Sequence, residues 1–369
     1  MDKPLSGLKV VELARILAGP WAGQLLADLG ADVVKVERPG TGDDTRHWGP
    51  PFAADGASAY FHSCNRGKQS VAIDLETGQG QAAVRALAAE ADILIENFKV
   101  GGLAKYRLDY PSLAALNPRL VYCSITGFGQ TGPYSARAGY DFIIQGMGGA
   151  MSLTGEPDGA PQKSGIAYAD LFTGLYASVA ILAALRERDR TGGGAHIDLA
   201  LLDTQVAVLA NQALNWMVSG DVPTRMGNGH SNLVPYQAFR VADGEVIVAV
   251  GNDSQFHRLC AVLGLDELAL DERFRTNPAR VVNRDELIPL LDRAIQGRRL
   301  REFSKALEAA GIPAGPVNAV DSVFADPQVV YRGLRIEGDI PGLASPIVID
   351  GKRQVAQARA PALGEPEQC

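Results

Sequence analysis

Short strand-like runs alternate with helical stretches through the first 200 residues, and this rhythm limits the fold more than any other feature of the chain. LKVVEL (8–13) is apolar and short, GPWAGQLLADLG (19–30) has helical spacing and stops at Gly30, and ADVVKVE (31–37) is β-branched again. SVAIDL (70–75), a helical stretch over 79–91 and DILIEN (92–97) repeat the pattern, and RLVYCSIT (119–126) follows a short helix. A strand reaches a parallel neighbour only through a crossover, so this alternation implies a parallel sheet covered on both faces. The expectation is an α/β protein with a Rossmann-like large domain.

Farther along, an almost uncharged helix over 171–185 (LFTGLYASVAILAAL) runs to about Arg190 and is stopped by TGGG (191–194). AHIDLA (195–200) adds a strand, and 201–220 reads as a second long helix. The pattern then changes. PYQAFRVADGEVIVAVG (235–251) predicts a hairpin turning at Asp243-Gly244, and helices are expected at 254–264, 284–296 and 299–310. We therefore expect a large domain over 1–224, to which 319–369 returns, and a smaller α+β domain over 225–318. A length of 369 residues fits that division.

Composition narrows the function. A net charge of −7 leaves no basic footprint for nucleic acid. Cys64, Cys123, Cys260 and Cys369 are widely separated and form no CxxC, which argues against a disulfide framework or zinc site and for a reducing compartment. Charges in MDKPLSGLKVVELAR argue against an apolar leader. The longest uncharged run, 204–220, contains Gln205, Asn211, Gln212 and Asn215, and so reads as a buried helix rather than a membrane span. His47, His62, His196, His230 and His257 lack metal-ligand spacing. The expectation is a cytoplasmic protein with no metal, nucleic-acid or membrane partner.

Asp170 is the most informative single residue. It stands at the mouth of the apolar helix, where a carboxylate is either a routine cap or a nucleophile held ionised by the helix terminus. Gly127, Gly129 and Gly132 match GxGxxG after a strand, but Pro133, Tyr134 and Ser135 follow instead of a helix, so a dinucleotide site is not expected. VERPGTGDDTRHWGPP (36–51) carries Arg38, Arg46 and Trp48 after a strand, where open α/β sheets bind ligands. It reads either as an anion-binding loop or as a solvated loop with an Asp43/Asp44–Arg46 salt bridge. IENFKVGGLAKY (95–106) is equally open: Asn97, Phe98 and Lys105 belong either to a groove or to a plain connection.

Five blocks in order, ARILAGPWAGQLLADLGADVVKVERPGTGDDTR, NRGKQSVAIDL, IENFKVGGLAKY, SITGFGQTGPYSARAGYD and GIAYADLFTGLYASVAILAALRERDRTGGG, resemble the class III CoA-transferases. GDDTRHWGPPF (42–52), VPYQAFRVADG (234–244) and FADPQVV (324–330) are closest to the dicarboxylate branch of that family. The resemblance implies a Rossmann-like large domain, a small domain and an interlocked homodimer. Coenzyme A would be a co-substrate rather than a resident cofactor. It implies that Asp170 is the nucleophile, passing through an acyl anhydride and an aspartyl-CoA thioester. Arg15, Ile16, Ala18, Arg38, Asn97, Phe98 and Lys105 would form the CoA groove, and Arg46, Trp48 and Tyr140 would face the acyl or acid substrate. Succinyl-CoA is the implied donor and a C4–C6 dicarboxylate such as glutarate the implied acceptor. Glu76 departs from the pattern, standing where formyl-CoA transferase has a CoA-contacting lysine.

Two other readings compete. A racemase of the same superfamily needs a histidine where this chain has Tyr140, in Gly139-Tyr140-Asp141, and a tyrosine is a poor acid/base at neutral pH. A non-catalytic CoA-binding protein would use Asp170 only as a cap.

Overall fold

The computed structural model describes residues 3–364, which form two compact units. Among these residues the larger comprises 3–151, 163–221 and 327–364, and the smaller comprises 152–162 and 222–326. The segment 152–162, which carries no strong periodicity, thus belongs to the smaller unit, whose main segment is also wider than 225–318.

The larger unit holds six parallel strands: β1 (Lys9–Glu12), β2 (Asp32–Glu37), β3 (Lys68–Ala72), β4 (Ile93–Glu96), β5 (Val121–Thr126) and β6 (Ala195–Ala200). Their order is β3-β2-β1-β4-β5-β6, the doubly wound arrangement whose switch point lies between β1 and β4. The helices that accompany them are α1 (Ala18–Asp28), α2 (Ala59–Cys64), α3 (Gly78–Glu90), α4 (Tyr110–Leu116), α5 (Asp141–Met147), α6 (Ala150–Leu153), α7 (Tyr168–Thr191), α8 (Leu201–Ala207) and α9 (Ala210–Ser219). Successive strand residues point to opposite faces, and both faces are buried. Val10, Ile93, Ile95, Val121 and Cys123 enter one core with α1 and α7, while Val11, Leu94 and Tyr122 enter the other beneath α3 and α4.

Three expectations need correction. The apolar helix begins at Tyr168, so Asp170 lies inside its first turn rather than at its mouth. The stretch 201–220 is two helices, because Ala210 takes a left-handed φ of 45°. The second of them, α9, buries no residue, and Trp216, Met217 and Val218 are exposed, so the uncharged run is not a buried helix. Among the described residues one helix, α7, is long and apolar enough to cross a membrane, yet Ala169, Ala177, Ile181 and Leu185 pack into the core against the sheet. After β5, Gly127–Gly132 forms a turn with no helix behind it.

The tail closes the larger unit. Lys3 Nζ donates to Val355 O, Ala356 N to Asp28 Oδ1, Gly67 N to Ala358 O and Gly364 N to Ser70 Oγ. Helices α1 and α7 touch closely at Gly174, where a Cβ would lie 2.7 Å from Ala18 O.

The smaller unit packs the antiparallel strands β7 (Tyr236–Val241), β8 (Gly244–Ala249) and β9 (Ala314–Pro316) with α10 (Asp253–Leu263), α11 (Asp266–Leu270), α12 (Asn277–Val282), α13 (Arg284–Ile295) and α14 (Leu300–Ala309). Phe239, Val246, Phe256, Leu287 and Phe303 form its own core. Val241 pairs with Gly244, so the turn is Ala242-Asp243, one residue before the predicted position.

Gly174→Ala should destabilise the larger unit by about 1–3 kcal/mol through overpacking of α1 against α7, measurable by denaturant unfolding.

Candidate active site

The carboxyl ends of β1, β4 and β5 open onto a cleft of about 470 Å³. Its wall takes Arg15, Ile16, Leu17 and Ala18 from the turn after β1, and Asn97, Phe98 and Lys99 from the turn after β4. Thr126 and Gly127 follow from β5, and Arg137, Tyr140 and Asp170 complete the chemistry. Asn97 joins the two sides of the switch point. Its Oδ1 accepts from Arg15 N at 2.9 Å and its Nδ2 donates to Arg15 O at 2.6 Å.

Asp170 does not cap its helix. Ala167 holds the N-cap position and makes no side-chain cap bond. The capping oxygen comes from Asp141, whose Oδ1 accepts from Ala169 N at 2.9 Å and Asp170 N at 3.4 Å. Gln145 Nε2 steadies Asp141 by donating to its Oδ2 at 2.6 Å. Asp170 is thereby left without a structural duty of this kind.

Its ionisation also differs from expectation. A helix N-terminus favours a negative charge, but burial and then the charge of Asp141 push the Asp170 carboxyl up to about 7. At neutral pH it is therefore divided between its acid and carboxylate forms, and its carboxylate is more basic than that of an exposed aspartate. Such tuning is common where a carboxyl group must act as base or nucleophile.

Asp170 is the one carboxylate among the described residues of the cleft wall, which also carries Arg15, Lys99, Lys105 and Arg137. Arg137 lies over Tyr134 at 4.5 Å and Phe128 at 5.2 Å. Arg15 is paired with Asp44 at 2.6 Å, both partly exposed. Lys105 stands 3.6 Å from Glu76, which also accepts from the Tyr106 hydroxyl.

Three of the residues singled out from sequence lie elsewhere. Arg38 lines an adjoining cavity of about 120 Å³ with Arg15, Glu76 and Phe98. Arg46 is buried, makes a two-pronged pair with Glu37 at 2.6 and 2.8 Å, and rests over the Phe61 ring at 3.7 Å. Neither open reading of that loop placed it there: it pairs with Glu37 rather than Asp43 or Asp44, and its Nε and Nη2 donors are already engaged. Trp48 packs edge-on against Tyr60 at 5.3 Å, and the Tyr60 hydroxyl is held protonated by burial and by the charge of Asp170. Sequence reasoning missed Arg137, Lys99 and Asp141. The first two sit in quoted blocks as ordinary loop cations, and Asp141 is hidden in Gly139-Tyr140-Asp141 by its neighbour.

The model for CoA-transferase family III matches residues 5–367. The chain belongs to this family. It is similar to the succinate–glutarate CoA-transferase of Agrobacterium fabrum, 55% identical over 98% of this chain and 93% of that one. The Homo sapiens succinyl-CoA:glutarate CoA-transferase is 43% identical over 98% of this chain and 83% of its own. Among solved structures, a CAIB/BAIF family protein from Brucella suis superposes with a TM-score of 0.89 at 58% identity, covering 99% of this chain and 97% of that one. Family membership makes the protein a CoA-transferase with an α/β fold.

The ionisation of Asp170 sets a pH dependence. A nucleophilic carboxylate is lost as pH falls through its raised pKa, so kcat/KM should drop on the acid side with a midpoint near 7. Asp141→Asn keeps a capping oxygen but removes the repelling charge, so the midpoint should move to lower pH. A pH–rate profile of both proteins checks this.

Proposed function

We propose that this enzyme moves CoA from succinyl-CoA to glutarate, with Asp170 as the covalent nucleophile. One observation carries the mechanism: a single carboxylate of raised basicity lines a cleft whose wall also carries four cations. The names of its relatives in Agrobacterium fabrum and Homo sapiens support the donor and acceptor.

The Asp170 carboxylate attacks the thioester carbonyl, the C–S bond breaks, and a succinyl–aspartyl anhydride forms with CoA thiolate. The thiolate attacks the aspartyl carbonyl, releasing succinate and leaving an aspartyl-CoA thioester. Glutarate attacks that thioester and expels the thiolate, giving a glutaryl–aspartyl anhydride. Attack of the thiolate on the glutaryl carbonyl then yields glutaryl-CoA and restores Asp170. Each step exchanges one activated acyl bond for another, so covalent catalysis needs no outside energy source.

Arg15, Ile16, Ala18, Asn97, Phe98 and Lys105 form the CoA groove in this reading, with Arg38 at its edge for the phosphates. Arg137 and Lys99 add charge to it. Arg15 and Tyr140 would meet the acid. Arg46 acts from beneath, through the loop it anchors, and Trp48 through Tyr60. A homodimer, interlocked as the family resemblance implies, is supported by the exposed apolar side chains Phe172, Leu175, Tyr176 and Val179 on α7 and Leu214, Trp216 and Met217 on α9. Buried free thiols at Cys64, Cys123 and Cys260 fit a reducing cytoplasm, and Cys369 lies outside the described residues.

Incubation with succinyl-CoA followed by hydroxylamine or borohydride should leave an adduct on Asp170 detectable by mass spectrometry, and Asp170→Ala should abolish transfer. An unmodified Asp170 together with an active alanine variant would sink the nucleophile. A panel of glutarate, malate, mesaconate, itaconate, oxalate and carnitine tests the acceptor, with preference for oxalate or carnitine overturning the dicarboxylate reading.

A further inference from the structure

We propose that the buried Lys35–Asp43 pair is a positioning device that holds the Arg15–Ile16 turn in the wall of the cleft. The functional side of this inference rests on the reading of that cleft as the CoA site. Its structural side stands on the turn alone.

Ile16 has a φ of +74°, the left-handed region that a β-branched side chain disfavours strongly. Such a conformation persists only where the surroundings over-determine it. Here they do. Lys35 Nζ donates to Ala14 O at 2.9 Å, Asn97 holds both the N–H and the carbonyl of Arg15, and Ile16 N donates to the Asp43 carboxylate, 3.3 Å from either oxygen. The Cys64 thiol reaches Ile16 O at 3.6 Å. The turn therefore makes no backbone ladder of its own, and side chains fix it from below.

Asn97 is itself in the cleft wall, but Lys35 and Asp43 line none of the described cavities. Both side chains are fully buried, and Lys35 stands 2.9 Å from Asp43 and 2.9 Å from Glu12. Thr45 fixes one Asp43 oxygen through its N–H at 3.0 Å and its hydroxyl at 2.8 Å, and Asp43 N is held by Glu37 at 2.8 Å. A buried ion pair is a weak device for stability, since apolar replacements often do as well. What an apolar pair cannot supply is an acceptor for Ile16 N and a donor for Ala14 O on either side of one strained turn. That is the distinctive service of this pair.

The test compares the full-length protein with Asp43→Asn, Lys35→Met, Ile16→Gly and the double variants. Amide exchange of the 13–18 segment, followed by mass spectrometry, reads the turn without ligand. Asp43→Asn should accelerate it, because the amide nitrogen cannot pair with Lys35 and the one remaining oxygen is already taken by Thr45. Calorimetry with CoA and steady-state kinetics with succinyl-CoA should show Kd and KM raised about tenfold, with kcat changed much less. Glycine adopts positive φ unaided, so in an Ile16→Gly background the same Asp43→Asn change should shrink to within about twofold. Lys35→Met should follow the same pattern, and if it fails to fold the nearly isosteric Asp43→Asn carries the test. Unchanged exchange in Asp43→Asn, or equal effects of that change in the parent and Ile16→Gly backgrounds, would overturn the proposal. Failure of the unmodified protein to bind CoA would instead sink the CoA reading while the exchange result still decides the positioning role.

Discussion

Beneath the first turn of α1 lies a closed set of charges on which the cleft depends. Glu12, Lys35, Glu37, Asp43, Arg46 and Lys68 come from the ends of β1 and β2, the start of β3 and the loop between β2 and β3, and all are buried. Glu12 and Lys35 are direct cross-strand neighbours, and Lys68 reaches Glu12 at 2.8 Å from the strand beyond. The charges balance, three of each sign. Burial works against the Lys35 ammonium, but Glu12 and Asp43 outweigh it and hold it charged. Removing one member of such a set exposes the others to an uncompensated interior charge, at roughly 3–5 kcal/mol. Helix α1 comes so near that a Cβ at Gly23 would lie 1.9 Å from Glu12 Oε2.

The carboxylate of Asp170 is governed by a second balance. The first turn of α7 offers free N–H groups, and Asp141 takes two of them, so Asp170 remains uncommitted. The same neighbour adds to burial in raising the Asp170 pKa. One carboxylate thus stabilises the helix and keeps the other basic. Tyr60, packed against the Trp48 ring and within the field of both acids, stays a neutral phenol.

The parallel sheet was legible because short apolar runs such as Val10-Val11, Val33-Val34 and Ile93-Leu94-Ile95 recur between helical stretches, even though buried charges interrupt several of the strands. Part of the candidate site was open to reading from its place after a strand: Asn97 and Phe98 were weighed as a groove there, Lys99 beside them was passed over, and a family pattern singled out Arg15 and Asp170. Partners across the fold were not. In sequence Arg46 sits beside Asp43 and Asp44, yet the loop turns it back onto Glu37, nine residues away. The break at Ala210 left no signal either, since alanine is a good helix former and only its surroundings impose a positive φ. Asp141 was overlooked because a cap supplied from another segment has no local spacing.

The tail that closes the larger unit has a consequence for how the protein is made. Arg46 Nη2 donates to Pro361 O, and Ser70, in β3, receives Gly364 N. The unit is interrupted by the whole of 222–326 before its last segment appears. At the usual pace of synthesis this insertion alone keeps the nascent sheet edge waiting roughly 5–20 s for its covering length of chain, an interval that falls to chaperones or to the ribosome surface to protect.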